Sequence, residues 1–299
     1  MSPARARLAI AALSALLAVG ALPVAAVAAS APPGRGHLLL TGGGGEPDAM
    51  WSKFFELAGG KDAPIVVLPT ASERPEAGSE YVEELATKWG ATHAQWLELR
   101  TRADADRPDF VATLRAARAI FFTGGDQVRI TEAFLGSPAL EAVRSVYARG
   151  GVLAGTSAGT ACMSEVMITG EGDFTVVRAG AVETKTGLGF VTRAIVDQHF
   201  VTRQRSNRLL SVVLEHPELP GLGIDEVTTA WFRPDDTVEI LGEGSVLVFD
   251  ATRAAVRRTA EAGKPHLGAH GVILHVLLPG DRYDLARRAV IGRRTRVTE

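Results

Sequence analysis

Cross-links and excess charge are both missing from this chain. It has one cysteine in 299 residues, too few for an internal disulfide or a cysteine zinc cage. Lysine is scarce: Lys53, Lys61, Lys88, Lys185 and Lys264 are the full set, so the basic residues are nearly all arginine. A formal net charge of −2 lacks the basic excess of a dedicated nucleic-acid binder. Glycine, at 32 residues, and proline, at 15, are too sparse and scattered for a fibrous protein. What is present is 46% hydrophobic and 22% charged residues, which excludes intrinsic disorder and supplies ample material for a core. The chain reads as a soluble globular protein that depends on packing alone.

A bilayer-spanning run is also missing. The longest apolar stretch, Leu8 to Leu22, is about 15 residues, short of the roughly 20 needed to cross a membrane. Arg5 and Arg7 precede it, and Pro23 and a small-residue tract ending Ala26-Val27-Ala28 follow. A positive start, a short apolar centre and an Ala-x-Ala site describe a secretory signal peptide. We expect residues 1–28 to be removed and residues 29–299 to form a single exported domain, extracellular or periplasmic, with no stable membrane association. Ala29-Ser30-Ala31 offers a second cleavage site, and an uncleaved anchor or a buried helix is the alternative.

Downstream, short apolar runs alternate with amphipathic stretches. The runs are His37–Leu40, Ile65–Leu68, Ala94–Leu99, Ala119–Phe122, Val152–Ala154 and Ile195–Val196; the amphipathic stretches are Ala49–Leu57, Glu80–Trp89, Pro108–Leu114 and Leu140–Arg149. Continuous apolar strands between helices predict a parallel sheet covered on both faces, with ligands at the carboxyl ends of the strands. Val238–Leu241, Ser245–Phe249 and Val272–Leu278 read as antiparallel strands finishing the sheet or its edge.

Gly155-Thr156-Ser157-Ala158-Gly159 is the sharpest local signal. It follows an apolar run and precedes a stretch, Thr160–Met167, that we expect to be helical. That is the G-x-S-x-G context, in which glycines allow a tight strand-to-helix turn, the serine oxygen is exposed, and backbone N–H groups stand ready for an oxyanion. A helix N-cap serine or a phosphate loop is the plainer reading, and a Walker A loop fails because no lysine follows the glycines. A serine nucleophile needs a base. Of the seven histidines, His199 alone sits at a strand end among polar neighbours, in Asp197-Gln198-His199-Phe200; His275 falls in an apolar run and is expected to pack in the core. Arg203, Arg205 and Arg208 follow. On a helix Arg205 and Arg208 would share a face, and arginines beside a base suit bidentate capture of a carboxylate; a solvated charged face is the alternative.

These pieces carry a resemblance. Thr41-Gly42-Gly43-Gly44-Gly45-Glu46, Phe122-Thr123-Gly124-Gly125-Asp126-Gln127, the Gly155–Gly159 turn, Asp197-Gln198-His199-Phe200 with its arginines, and Gly223-Ile224-Asp225-Glu226, in order over most of residues 37–230, resemble the serine peptidase family that holds the cyanophycinases and the aspartyl dipeptidases of the peptidase E type. The resemblance implies a three-layer α/β/α sandwich with a mostly parallel sheet, similar to class I glutamine amidotransferases, with antiparallel strands added near the C-terminus. It implies hydrolysis of cyanophycin, a poly-aspartate bearing arginine on each β-carboxyl, to β-Asp-Arg dipeptides through an acyl-enzyme, and it implies a homodimer. Ser157 and His199 then form a triad whose acid is Glu226 or, in the loop after the nucleophile helix, Asp173 or Glu171. Gln127, Asp197, Gln198, Arg203, Arg205 and Arg208 would bind substrate, and the amides of Ala158 with those of Gly43, Gly44, Gly124 or Gly125 would hold the oxyanion. No metal or cofactor is expected, because no His or carboxylate pair has ligand spacing. The rivals are an aspartyl dipeptidase, an α/β-hydrolase esterase lacking its usual late histidine, and a binding module that has lost turnover. Cys162 is expected to be packing, and the tryptophans to be core or rim, with a pocket role open for Trp231.

Overall fold

The computed structural model describes residues 36–260, 263 and 265–292; the expected signal segment and its cleavage sites lie outside them. Five strands supply the parallel half of the main sheet: β1 (His37–Thr41), β2 (Ile65–Leu68), β3 (Ala94–Trp96), β4 (Ala119–Phe122) and β5 (Val152–Thr156). They pair in the order β1-β5-β4-β2-β3, every pair parallel. Alternate side chains of each strand enter opposite layers, which explains the continuous apolar runs. Leu38, Leu40, Val66, Leu68, Ile120, Phe122 and Leu153 join one core. Leu39, Ile65, Val67, Ala119, Phe121, Val152 and Ala154 join the other.

Helices cover both cores. α1 (Asp48–Ala58) and α2 (Ala77–Thr87) lie on the second, with Trp51, Phe54 and Leu85 buried there. α3 (Arg102–Ala105), α4 (Pro108–Ala116), α5 (Gln127–Phe134), α6 (Pro138–Ala148) and α7 (Ala158–Ala161) lie on the first. Helix starts carry the expected chemistry: Ser137 and Asp126 cap α6 and α5 through their side chains, each satisfying an N–H that the first turn leaves without a partner. Helix α7 is a single turn where a helix over Thr160–Met167 was expected. The chain then leaves for a hairpin, β6 (Val166–Gly172) and β7 (Val182–Thr186).

The remainder splits between two sheets. β8 (Ile195–Asp197), α8 (Ser206–Glu215), β9 (Gly221–Ile224), β10 (Thr228–Phe232), β11 (Thr237–Gly242) and β12 (Val246–Asp250) follow in chain order, then the hairpin of β13 (Ala255–Arg258) and β14 (Leu267–His270), and β15 (Ile273–Leu277), β16 (Arg282–Asp284) and β17 (Ala289–Ile291). β10, β11, β16 and β17 extend the main sheet from β1, all antiparallel, giving nine strands and the appended antiparallel edge that was expected. β15, β12, β9 and β8 form a separate sheet. So Ser245–Phe249, Val272–Leu278 and Ile195–Val196 do not join the main sheet, although their apolar content alone gave no sign of this. His275, expected in the core, is half-buried on edge strand β15, where Ile273, Leu274 and Val276 are exposed.

Because Phe121 is fully buried between Trp51 and Tyr81, Phe121→Ala is expected to cost about 3–5 kcal/mol. Val276→Ala, on the exposed edge, is expected to stay within about 0.5 kcal/mol. Urea unfolding midpoints of the two variants measure the difference.

Candidate active site

The G-x-S-x-G turn is built by close approach. A Cβ on Gly155 would stand 2.2 Å from the Gly159 carbonyl oxygen, and one on Gly159 would stand 2.2 Å from that of Phe122; only glycine lets these backbones meet. Ser157 between them is held at φ 51, ψ −109, a region that non-glycine residues rarely occupy and that persists only where the surroundings enforce it. The turn lifts the hydroxyl above the carboxyl end of β5.

Two strands of the smaller sheet bring the partners. β8 and β9 run parallel with Asp197 opposite Gly223, so the residues just beyond each, His199 and Glu226, emerge at the same end. Ser157 Oγ lies 2.9 Å from His199 Nε2, and His199 Nδ1 lies 2.5 Å from Glu226 Oε1. A carboxylate can only accept, so Nδ1 carries the ring proton and Nε2 accepts from the serine hydroxyl. Burial lowers the His199 pKa below its ordinary value; the Glu226 hydrogen bond works the other way, and the Arg203 and Arg205 charges add to the lowering. The imidazole is therefore neutral at neutral pH and able to take a proton.

One loop fixes all three segments. Three successive carbonyls after β1 accept from them: Thr41 O from Ser157 N–H at 3.0 Å, Gly42 O from His199 N–H at 2.8 Å, and Gly43 O from Val227 N–H at 2.8 Å. Strain collects at the same place. Ser157, His199, Gln204 and Val227 all have positive φ, leaving only Asp236 and Arg288 as other non-glycine cases among the described residues.

The structure sorts the other expected residues. Gly124 faces Ser157, its Cβ position 3.5 Å from the serine Cβ, and Ala158 follows the nucleophile directly. The Cβ positions of Gly43 and Gly44 abut the His199 ring and the Glu226 side chain, and that of Gly125 meets the Ala71 carbonyl, so all three are places where only glycine fits. Asp173 caps its own turn by accepting from Thr175 N–H and Oγ–H. Glu171 is exposed on β6. Both His199 nitrogens are taken by Ser157 and Glu226, so of the three candidate acids the structure brings Glu226 to the imidazole. Gln127 is buried and donates its amide to Ile168 O at 2.8 Å.

Asp197 and Arg208, expected to bind substrate, face each other. Each side chain is 1% exposed, and Arg208 forms a two-pronged ion pair with Asp197, with Nε donating to Oδ2 at 2.8 Å and Nη2 to Oδ1. Arg205 ends the preceding turn, off the helix; it does not share a helical face with Arg208. Its Nη1 donates to the Gln198 carbonyl and to Gln198 Oε1 at 2.7 and 2.5 Å. Burial, then the nearby Arg208 charge, pushes the Arg205 pKa down to about 10. Arg203 alone of the three is exposed, 3.9 Å from Glu226. Cys162 is fully buried, and burial pushes its thiol pKa up, as a packing residue requires. Trp231 pairs with Leu39 and is stacked by Lys53 and Arg233, so it belongs to the layer below the site.

Sequence reasoning missed Asp225. Its Oδ1 accepts from Val201 N–H at 3.0 Å and Thr202 N–H at 2.9 Å, tying the turn after His199 to the Glu226 segment. Its place beside Glu226 in the Gly223–Glu226 motif was the available signal. The Thr41–Gly43 carbonyls had no sequence signal, since they act through backbone.

Residues 38–241 match the model of peptidase family S51. A cyanophycinase of Nostoc sp. is 38% identical over 247 residues, covering 80% of each chain. One of Geminocystis herdmanii is 36% identical over 256 residues, covering 84% of this chain and 94% of its own. Among solved structures, a peptidase from an acI-B1 actinobacterium superposes with a TM-score of 0.60 at 24% identity, covering 73% of this chain and 92% of that one, and so shares the fold. With a matched span that takes in Ser157, His199 and Glu226, and relatives that agree over most of the chain, the protein belongs to peptidase family S51 and is a serine-type peptidase.

Proposed function

We propose that this chain is an exported hydrolase that degrades cyanophycin to β-Asp-Arg dipeptides through a Ser157–His199–Glu226 triad. The observation that carries the chemistry is the continuous hydrogen-bonded line from Ser157 Oγ through the imidazole to Glu226. The substrate is supported by relatives named cyanophycinase and by the exposed Arg203 beside the site, which suits a polymer rich in carboxylates. Export is supported by the signal pattern from Arg5 to Ala28, and it suits a polymer too insoluble to be imported.

In this reading Ser157 Oγ bonds to the scissile carbonyl carbon while its proton passes to His199 Nε2. Glu226 steadies the imidazolium, and the amides of Ala158 and Gly124 receive the oxyanion. Collapse expels the amine, which takes the proton from His199. Water then adds by the same route and releases the acid from Ser157.

Three outcomes are expected. Mass spectrometry of a cyanophycin digest should show β-Asp-Arg with the intact chain and a fall of about 10⁶ in rate with Ser157→Ala; cleavage of an Asp-X dipeptide in place of the polymer would favour the peptidase E-type reading, and failure of a fluorophosphonate to label Ser157 a binding module. Glu226→Gln should lose about 10³–10⁴ in kcat by leaving the imidazolium without its counter-charge, whereas Asp173→Asn should leave kcat within about threefold, both measured at saturating substrate. The base must be neutral to act, and burial lowers its pKa from the ordinary histidine value. A plot of kcat/KM against pH should therefore fall on the acid side, with its midpoint displaced below that of an ordinary histidine, and level off towards neutrality.

A further inference from the structure

A second carboxylate at the carboxyl end of the sheet has no ion-pair partner among the described residues. Glu46 ends the glycine run whose Gly43 and Gly44 abut His199 and Glu226. Its Oε1 accepts from the Tyr81 hydroxyl at 3.1 Å, and Thr156 is among the neighbours that act on its carboxyl. Thr156 immediately precedes Ser157 and pairs with Thr41 across β1 and β5. Glu46 thus lies near the end of β5, next to the nucleophile turn.

Among the described residues Glu46 takes part in no ion pair; the neighbouring cation, Lys88, is held by Asp48 at 2.9 Å. Burial raises its carboxyl pKa above the usual range, against the pull of Thr156 and Tyr81. A half-buried anion supported only by neutral donors is costly to keep, and a cation arriving with the substrate would offset that cost. Beside Glu226 the exposed Arg203 guanidinium presents the opposite sign. The site therefore offers an unmatched anion near Ser157 and a solvent-facing cation near Glu226.

We propose that Glu46 is a specificity-determining residue of this site and receives the guanidinium of a substrate arginine in a subsite walled by Tyr81 and Thr156. This rests on the reading of the chain as a hydrolase of arginine-bearing poly-aspartate. A planar fork of N–H donors fits a carboxylate already held by the Tyr81 hydroxyl, and a site that has given up solvent to hold a charge rejects the neutral analogue.

The test uses soluble oligomers of the β-Asp-Arg unit: one bearing arginine, one bearing citrulline (its neutral isostere), and the arginine oligomer acetylated at its N-terminus. The intact chain is expected to prefer arginine over citrulline by about 10- to 100-fold in kcat/KM and to be indifferent to acetylation. Glu46→Gln keeps the shape and an acceptor oxygen for the Tyr81 hydroxyl. It is expected to lose the arginine preference to within about threefold while Ser157 still labels with a fluorophosphonate at the unaltered rate. Glu46→Asp, which keeps the charge, is expected to retain part of the preference. Retention of the full preference in Glu46→Gln overturns the assignment. So does a rate abolished by acetylation, which gives the cation site to an N-terminal ammonium. If Glu46→Gln does not label, the intact chain decides, since equal rates on arginine and citrulline overturn the proposal. An intact chain that labels but cleaves no arginine oligomer overturns the functional reading, and this assignment with it.

Discussion

Three peptide carbonyls in a row hold the site together. Thr41, Gly42 and Gly43 accept from the N–H groups of Ser157, His199 and Val227, which belong to segments far apart in sequence. Each of those segments carries a residue at positive φ, a state that costs of order 1–3 kcal/mol and needs support from its neighbours. Buried backbone groups must find partners in any case. The fold uses that obligation to align nucleophile, base and acid, and the loop can lie so close only because Gly43 and Gly44 have no side chain between it and the His199–Glu226 pair.

The surrounding architecture divides the work. The parallel strands are buried on both faces and present a rigid edge. Ser157 stands on that edge, while His199 and Glu226 come from a separate sheet whose parallel pair β8–β9 sets their spacing. Asp225 fastens the two ends of that pair to each other by accepting from Val201 and Thr202. Preorganisation of this kind means that little has to move when the proton passes from Ser157 to His199.

What the sequence disclosed follows from which interactions are local. The runs at Leu38–Leu40 and Ile120–Phe122 read as doubly buried strands because both periodic faces are apolar, and the glycines around Ser157 mark a turn that other residues cannot make. The assignment of β8, β12 and β15 to a second sheet was not legible, since pairing depends on partners remote in the chain. The burial of Arg208 was not legible for a different reason. In Arg208-Leu209-Leu210-Ser211-Val212 the arginine shares the buried face of α8 with Leu209 and Val212, but a charged residue is ordinarily taken to face water. Its partner Asp197 lies at the end of β8, and only the tertiary structure shows them meeting.

That hidden pair constrains how relatives of this protein can diverge. With Asp197 and Arg208 each sealed from solvent, losing either one strands the other as an uncompensated charge, at about 3–5 kcal/mol, whereas replacing both by well-packed apolar residues can be close to neutral. Drift one substitution at a time is thus blocked at these positions although neither touches Ser157, and passage to another solution needs two changes together. Asp197 also receives the Gln198 N–H, next to His199, so any such exchange must rebuild the seat of the base. Invariance of Asp197 and Arg208 across a lineage would therefore record a valley between two stable packings, and could be mistaken for selection by the substrate.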